Sequence, residues 1–493
     1  MGEFWNWLTV TAPAWLNETL WSTPMIIFCI GVGILFSFLT RFLQVRLVKD
    51  MLRQLFRGKS SDAGISSFQA FAVALSGRVG TGNIAGVATA IGFGGHGAVF
   101  WMWAIAFLGA ATAYVESTLA QIYKVKQDGE YRGGPAYYIE KGIGWKWYGV
   151  IFAIATVVAL SFLMPGVQAN AIASSIDTAF GIDTWITGIA LMLLLALIIF
   201  GGVKRIANVA QVVVPFMAIG YILVSLIIIL FNISEVPAVF ALIFRSAFGA
   251  DAAFGGILGA AISWGVKRGI YSNEAGQGTG PHAAGAAEVS HPAKQGLVQA
   301  FSVYVDTWLV CTATAFMILF TGAYNVEAPD GTMIVENIPG VEEPGAEYTQ
   351  IAIEEVIPGF GADFVAVSLF FFAFTTIMAY YYMAETNIAY LIRSKVNKWA
   401  MFALKIVMLG AVYFGSVKTA SNAWVFGDIG LGIMVWLNLI AILILAKPAL
   451  KALKDYEIQK KQGLDPVFDP EKLGIKNADY WVERNKSQEE KVS

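Results

Sequence analysis

The sequence predicts an all-α polytopic membrane protein. Eleven transmembrane helices form a five-helix inverted repeat with broken helices, plus one leading helix. Three observations predict this. Charged residues make up only 14% of the 493-residue chain, against about 25% in a soluble domain, and mean hydropathy is +0.63. Apolar stretches recur at about 20 residues, the length that crosses a bilayer core as a helix. A short glycine motif also returns, 198 residues after its first appearance.

The N-terminal segment 1–23 carries Trp5, Trp7, Trp15 and Trp21 and has no basic n-region. It reads as an amphipathic helix at the membrane surface rather than a signal peptide. The spans follow at roughly 24–44, 66–92, 96–123, 148–172, 184–201, 206–231, 252–290, 295–321, 361–392, 400–417 and 422–446. Basic residues collect in alternate loops: Arg46, Lys49, Arg53, Arg57 and Lys59; Lys124, Lys126, Arg132, Lys141 and Lys146; Lys204 and Arg205; Arg393, Lys395 and Lys398. The positive-inside rule makes that side cytoplasmic, with the N-terminus outside and the C-terminus inside. The other side carries Asp177, Asp183 and the acidic loop 322–360, with Glu336, Glu342, Glu343 and Glu347. The tail 447–493 is polar and charged, hence cytosolic by the same reading.

Residues 80–88 read GTGNIAGVA and residues 278–286 read GTGPHAAGA, with five of nine positions matching. The same offset carries the third span onto the eighth. Two five-span units result, about 66–231 and about 252–446. An odd number of spans forces the copies into opposite orientation, as in transporters whose binding site lies at the midplane between repeats. Gly and Ala also recur wherever membrane helices pack closely; the span count and the charge alternation weigh toward a true repeat.

The second span contains Ser76-Gly77-Arg78-Val79-Gly80-Thr81-Gly82-Asn83. Each Gly disfavours helix by about 0.8–1.0 kcal/mol relative to Ala, and about 10 helical residues from Ser66 reach mid-bilayer here. Backbone N–H groups freed by a break can hold a carboxylate, and freed carbonyls a cation. An amino-acid zwitterion beside Na+ presents both needs. In the seventh span the same count from Ala252 reaches Ile262-Ser263-Trp264-Gly265, so Ile262 and Ser263 are expected to line the substrate site. The glycine match falls later, at 276–281, where it reads as shaping the inner half or as a plain helix–loop joint. In the ninth span Thr375 and Thr376 offer adjacent hard oxygens near mid-depth, suited to Na+; threonines in membrane helices also bond their own backbone.

Ionisable residues in or near spans are Arg78, Glu116, Lys267, Arg268, Glu274, Asp306 and Glu385. Each costs about 2.5–3.5 kcal/mol at a helix centre. Arg78 calls for a partner such as Glu274 or Asp306, while Glu116, Lys267, Arg268 and Glu385 suit positions toward the cytoplasmic interface, with their ends in water.

Net charge of −2 offers nothing to nucleic acid, and Cys29 and Cys311 lie inside apolar runs, against a disulfide framework. The three histidines show no metal-ligand spacing. No convergent nucleophile, base or acid group marks an enzyme, and no nucleotide motif follows a strand. A channel would need a continuous polar pore, often from symmetric subunits. The repeat and the midplane breaks favour a carrier.

The strings ALSGRVGTGNIAGVATAI (74–91), GGPAYYIEKG (133–142) and WGVKRGIYSNEAGQG (264–278) resemble the alanine or glycine:cation symporter family of the amino acid–polyamine–organocation superfamily. The resemblance covers nearly all eleven spans. It implies cotransport of alanine or glycine with Na+, H+ being the alternative coupling ion, in the plasma (inner) membrane of a prokaryote. It also implies site roles. Thr81, Gly82 and nearby backbone form the carboxylate cradle, and Gln168 faces the substrate. Thr376 and Tyr380 line the pocket, where many relatives carry Trp in place of Tyr380. Na+ is expected among the Ser76, Val79 and Phe372 carbonyls and the Thr375 and Thr376 hydroxyls.

Overall fold

The structure, a computed structural model, describes residues 7–250, 254–341, 343–393 and 397–492. Trp5, Ala252, Glu342 and Lys395 lie outside them. Among the described residues eight helices are long and apolar enough to cross a membrane: Ala12–Leu39, Gly97–Ile122, Lys146–Phe180, Lys204–Phe231, Pro292–Thr321, Gly361–Ile392, Lys398–Ser416 and Ala423–Ile444. A shorter apolar helix, Thr184–Ile199, lies between two of them. Two more segments are interrupted.

In chain order, the elements that position the site begin with the first interrupted segment. This is α1 (Ser67–Arg78), a π-helical turn Gly82–Gly86, and α2 (Val87–Gly94). Then come α3 (Gly97–Ile122) and α4 (Pro165–Phe180). The second interrupted segment is α5 (Leu258–Asn273) followed by α6 (Gly280–Ala286). After it come α7 (Pro292–Val303), α8 (Gly361–Ile392), α9 (Ala420–Ile444), α10 (Ala446–Lys461) and α11 (Asp479–Val492). Two short antiparallel hairpins, Val125–Gln127 with Glu130–Arg132 and Asn325–Glu327 with Met333–Glu336, lie outside the helices.

A capping box starts α1: the Ser66 hydroxyl accepts from Gln69 N and the Gln69 side chain accepts from Ser66 N, which satisfies two free donors. The helix ends where the glycines cluster, and Val79 turns extended. The second segment breaks later than expected. Helix α5 runs unbroken through Ile262, Ser263 and Trp264 and stops at Glu274, in the left-handed region with φ 54°. Gly276 and Gly278 follow at φ 86° and 88°, which glycine adopts without a Cβ penalty. The depth count misplaced this break because the α-helix begins at Leu258, six residues after the assumed start at Ala252, and then runs for 16 residues where the count allowed about 10. The break lies at the glycine match itself.

Helix α3 is the central post, with α5, α6 and α7 all packed along it. Close packing depends on glycine: a Cβ on Gly285 would stand 2.7 Å from the Gly133 Cα, so the 133–142 string and the second glycine motif meet backbone to backbone. At the N-terminus, Trp7 and Trp15 are exposed, but Trp21 is buried and donates to the Asp428 carbonyl of α9 (2.9 Å).

The tail is folded against the body. Trp481 of α11 is buried and donates to the Gln121 carbonyl (2.8 Å). Phe468 N donates to Ser290 O (3.0 Å) and Arg484 to Val289 O (2.6 Å). The Lys124 ammonium lies over the rings of Tyr131 and Tyr480, at 4.3 and 4.7 Å. Helix α10 is tied back by Glu457 to Arg46 (2.8 Å) and by a Lys460–Asp50 ion pair.

Candidate functional site

The end of α1 frees carbonyls that a continuing helix would have used. Helix α8 runs past this end and places Thr376 among them. The Thr376 hydroxyl lies 2.8 Å from Ser76 O, 3.1 Å from Phe372 O and 3.4 Å from Val79 O. Thr375 donates to Phe372 O at 3.0 Å. The five candidate cation ligands, Ser76, Val79, Phe372, Thr375 and Thr376, therefore meet in one place, all buried.

One turn further along the first segment, Thr81 presents both its backbone N–H and its hydroxyl to Gln168 Oε1, at 3.0 and 2.9 Å. Gly80 N donates to Asn83 Oδ1 (2.8 Å). A Cβ on Gly80 would lie 2.5 Å from Thr376 Oγ1 and 2.9 Å from Gln168 Oε1, so only glycine leaves room for both groups against the break. Gly82 permits the other close approach: its Cβ would meet Ser272 Cα of α5 at 3.2 Å. The two interrupted segments touch here.

Tyr380 follows Thr376 by one helical turn, so both occupy one face of α8. It is 1% exposed and its hydroxyl faces Glu274 and Gln168. Tyr271 of α5 also faces Gln168 and packs on Trp424 of α9 at 4.9 Å. Thr81, Gly82, Gln168, Thr376 and Tyr380 are thus gathered around the first break. Ile262 and Ser263 are not: they sit on α5 eight and more residues before Tyr271, about 12 Å away at 1.5 Å per residue.

On the face that carries the 322–360 loop, a cavity of about 510 Å3 opens over this region, lined by Thr89, Phe93, Arg268, Trp424 and Asp428 among others. Arg268 lies over the Trp424 ring at 4.2 Å and pairs with Asp428 at 2.9 Å. Lys267 pairs with the same carboxylate at 2.6 Å. Both cations, expected to reach water at the cytoplasmic interface, are instead held by a carboxylate on α9. Glu116 also departs from that expectation. It is fully buried, accepting from Gly276 N (3.2 Å) and Asn438 (2.7 Å). Arg78 bonds to neither expected partner. It donates to the Gln299 carbonyl (3.1 Å) and to the Ser302 hydroxyl, and among the described residues no ion pair within 4.0 Å includes it.

Sequence reasoning passed over Asn83, Tyr271, Ser272 and Asp428. Asn83 closes the glycine-rich run 76–83, and Tyr271 and Ser272 lie in the 264–278 string, so both stretches held the signal. Asp428 is an acid inside the last apolar run, and a census of ionisable residues taken to the final span finds it.

The chain matches the model of the sodium:alanine symporter family over residues 6–470. It is 71% identical to the putative sodium/proton-dependent alanine carrier protein YrbD of Bacillus subtilis, covering 97% of this chain and 99% of that one. It is 60% identical to the sodium/proton-dependent alanine carrier protein of Bacillus sp. (strain PS3), over 90% of this chain and 99% of that one. Identity to the sodium/alanine symporter AgcS of Methanococcus maripaludis is 36%, over 91% and 97%. A crystal structure of a variant of the Eremococcus coleocola manganese transporter is similar in fold, with a TM-score of 0.50 at 12% identity over 84% of this chain and 90% of that one.

Proposed function

This chain belongs to the sodium:alanine symporter family, and from that premise we propose that it carries alanine, and the smaller glycine, into the cell with Na+ by alternating access. One observation carries the reading at the level of residues: the Thr376 hydroxyl stands between the Ser76 and Val79 carbonyls at the end of α1 and the Phe372 carbonyl of its own helix, one turn from the Thr81 donors. Na+ would take the oxygens of Ser76, Val79, Phe372, Thr375 and Thr376. The carboxylate of alanine would take the Thr81 N–H and hydroxyl beside Gly82, with Gln168 turning to the substrate. Na+ ties α1 to α8 and so fixes the shape of the break, which orders the donors for the substrate. Each ligand then favours the same state, the condition for coupling. Nothing in the geometry supports a substrate role for Ile262 or Ser263 on the intact α5.

The span plan follows the same reading. The eight long helices, Thr184–Ile199 and the two interrupted segments give eleven crossings. Both proposed repeats, about 66–231 and 252–446, open on an interrupted helix with GTG at the break, which supports the inverted repeat. The transporter domain is then 24–446, in the plasma membrane, with the N-terminus outside and the tail 447–493 in the cytoplasm. The names of the two Bacillus relatives, each a sodium/proton-dependent carrier, favour H+ as a second coupling ion.

The test is uptake of labelled alanine into proteoliposomes. An inward sodium gradient is expected to drive saturable accumulation above equilibrium. Uptake that is indifferent to both sodium and pH gradients removes the proposal.

Tyr380 gives a sharper prediction. A ring filling the pocket beside Thr376 excludes larger side chains by clash. Tyr380→Ala is expected to let valine or leucine compete with alanine uptake, and the unaltered protein is expected to exclude them. A folded variant with an unchanged competition profile assigns Tyr380 to helix packing alone.

A further inference from the structure

Soon after the first span comes a short helix, Val48–Leu55, with three distinct faces. Asp50, Met51, Gln54 and Leu55 are buried, and the helix packs on α7. Leu52 and Phe56, four residues apart, share a second face and are exposed. Lys49, Arg53 and Arg57, at the same spacing, share the third and are exposed as well. Apolar and basic faces side by side, close to the end of a membrane span, suit the boundary between acyl chains and head groups. This end of the molecule is the one opposite the 322–360 loop. Phe56 stacks on Phe68 at the start of α1 (6.1 Å), whereas the far end of the same interrupted segment, at Gly92, meets Pro344 of that loop.

Where this helix ends, the tail closes a cavity of about 320 Å3 against the body. That volume lies within the range of about 300–1,000 Å3 usual for small-molecule sites. Four cations line it, Arg57, Lys59, Lys294 and Arg484, against two carboxylates, Glu288 and Asp465. Each carboxylate already has its cation: Lys294 holds Asp465 at 2.6 Å, and Arg484 holds Glu288 at 3.3 Å. Arg57 and Lys59 are left over. Among the described residues no ion pair within 4.0 Å includes either of them. A concave wall with a surplus of two positive charges selects an anion, and guanidinium and ammonium donors together match the oxygens of a phosphate.

We propose that this cavity binds the phosphate head group of an anionic phospholipid, held by Arg57 and Lys59. The exposed Leu52 and Phe56 favour a lipid over a free phosphate, because they offer the acyl chains an apolar bed directly beside Arg57. The site also has a place in the working of the fold. The loop that leaves Arg57 leads to α1, and on the way it is tied to the joint after α6. Ser61 Oγ donates to Glu288 (2.8 Å), Ile65 N to Ala286 O (3.0 Å) and Glu288 N to Ile65 O (2.9 Å). A head group in the cavity therefore touches the approach to the first interrupted segment, the exit from the second, and the tail. Those are parts that a rocking carrier has to move against one another.

The test is thermal unfolding of the purified full chain in a neutral detergent, titrated with short-chain phosphatidylglycerol. Saturable stabilisation is expected, and phosphatidylcholine of the same chain length is expected to give none. Arg57→Gln combined with Lys59→Gln is expected to weaken the apparent affinity about tenfold or more. Lys49→Gln combined with Arg53→Gln, on the same basic face but outside the cavity, is expected to leave it unchanged. All four side chains are exposed, and the midpoint without lipid checks that each variant folds. If the first pair does not fold, Lys59→Gln alone serves: a several-fold weakening supports the site and an unchanged affinity overturns it. Equal stabilisation by phosphatidylcholine, or an equal loss in both pairs of substitutions, marks a diffuse charged surface and overturns the site. Inorganic phosphate that stabilises at the same concentrations, with the same loss in the Arg57 and Lys59 pair, assigns the cavity to a soluble phosphate and overturns the lipid. No saturable stabilisation by either ligand overturns both.

Discussion

Thr376→Ala is expected to raise the sodium concentration for half-maximal alanine uptake at least tenfold, about 1.4 kcal/mol of lost ion binding. Among the described residues the hydroxyl is the one side-chain oxygen that reaches the Ser76, Val79 and Phe372 carbonyls together. Its removal would strip the proposed ion site of a ligand and also untie α8 from the end of α1. Thr376→Ser keeps the oxygen and is expected to stay near the unaltered value. The two variants separate ligation from packing, because both lose the methyl group and only one loses the oxygen. Sodium titration of uptake, with thermal unfolding in detergent as the control for folding, decides it. An unchanged sodium dependence in Thr376→Ala and in Thr375→Ala would sink the proposed ion site.

Arg78→Met is expected to cost the most stability, about 3–5 kcal/mol, as for removal of one partner from a buried set of charges. Met keeps most of the length and none of the charge. What remains is three buried carboxyls with no guanidinium nearby, and an unfilled space against Gly280, where a Cβ would stand 2.6 Å from Arg78 Nη2. The midpoint of thermal unfolding in detergent should fall markedly. Adding Glu274→Gln should restore part of the loss, since it removes one negative charge from the same interior; such a non-additive pair is the mark of coupling. A midpoint near that of the unaltered protein in Arg78→Met would show that Gln299 and Ser302 alone account for the residue.

The same arginine shows where reading a sequence stops. Its presence inside a span, and its need for company, follow from charge and hydropathy. Its company does not, because Gln299 offers a backbone carbonyl, which every residue carries, and only folding decides which carbonyl is near. The first break was legible because four features coincide there: glycines, mid-depth, a free-standing charge and the repeat. The second was misplaced because both the start of the span and the length of its first half were assumed, while the glycine match, which needs neither assumption, pointed to the right residues. Thr375 and Thr376 stood out as adjacent hydroxyls in an apolar run, but the three carbonyls around Thr376 belong to a helix some three hundred residues away in part and leave no local trace. The tail was read as merely charged because Tyr456, Phe468 and Trp481 are spaced too far apart to form an apolar stripe. They meet only in the fold, Phe468 against Trp481 and both Tyr456 and Phe468 against His291, and so wide a spacing has no periodicity to detect.

Thr81 and Gln168 carry one more implication. Both free donors of Thr81 already end on a single amide oxygen. A carboxylate arriving at Thr81 therefore replaces a partner instead of filling a vacancy. A hydrogen bond nets only about 0.5–1.5 kcal/mol when the alternative partner is water, and here the alternative is an acceptor held in place by the protein. On the proposed reading cargo would thereby be gripped loosely, and letting go on the far side would leave no orphaned donor, because the glutamine would return to its post. The unloaded carrier then crosses back with its broken helix still satisfied. On the proposed reading Gln168 would serve as a place-holder for the substrate, and the return stroke, more than the loaded one, is where its absence would be felt.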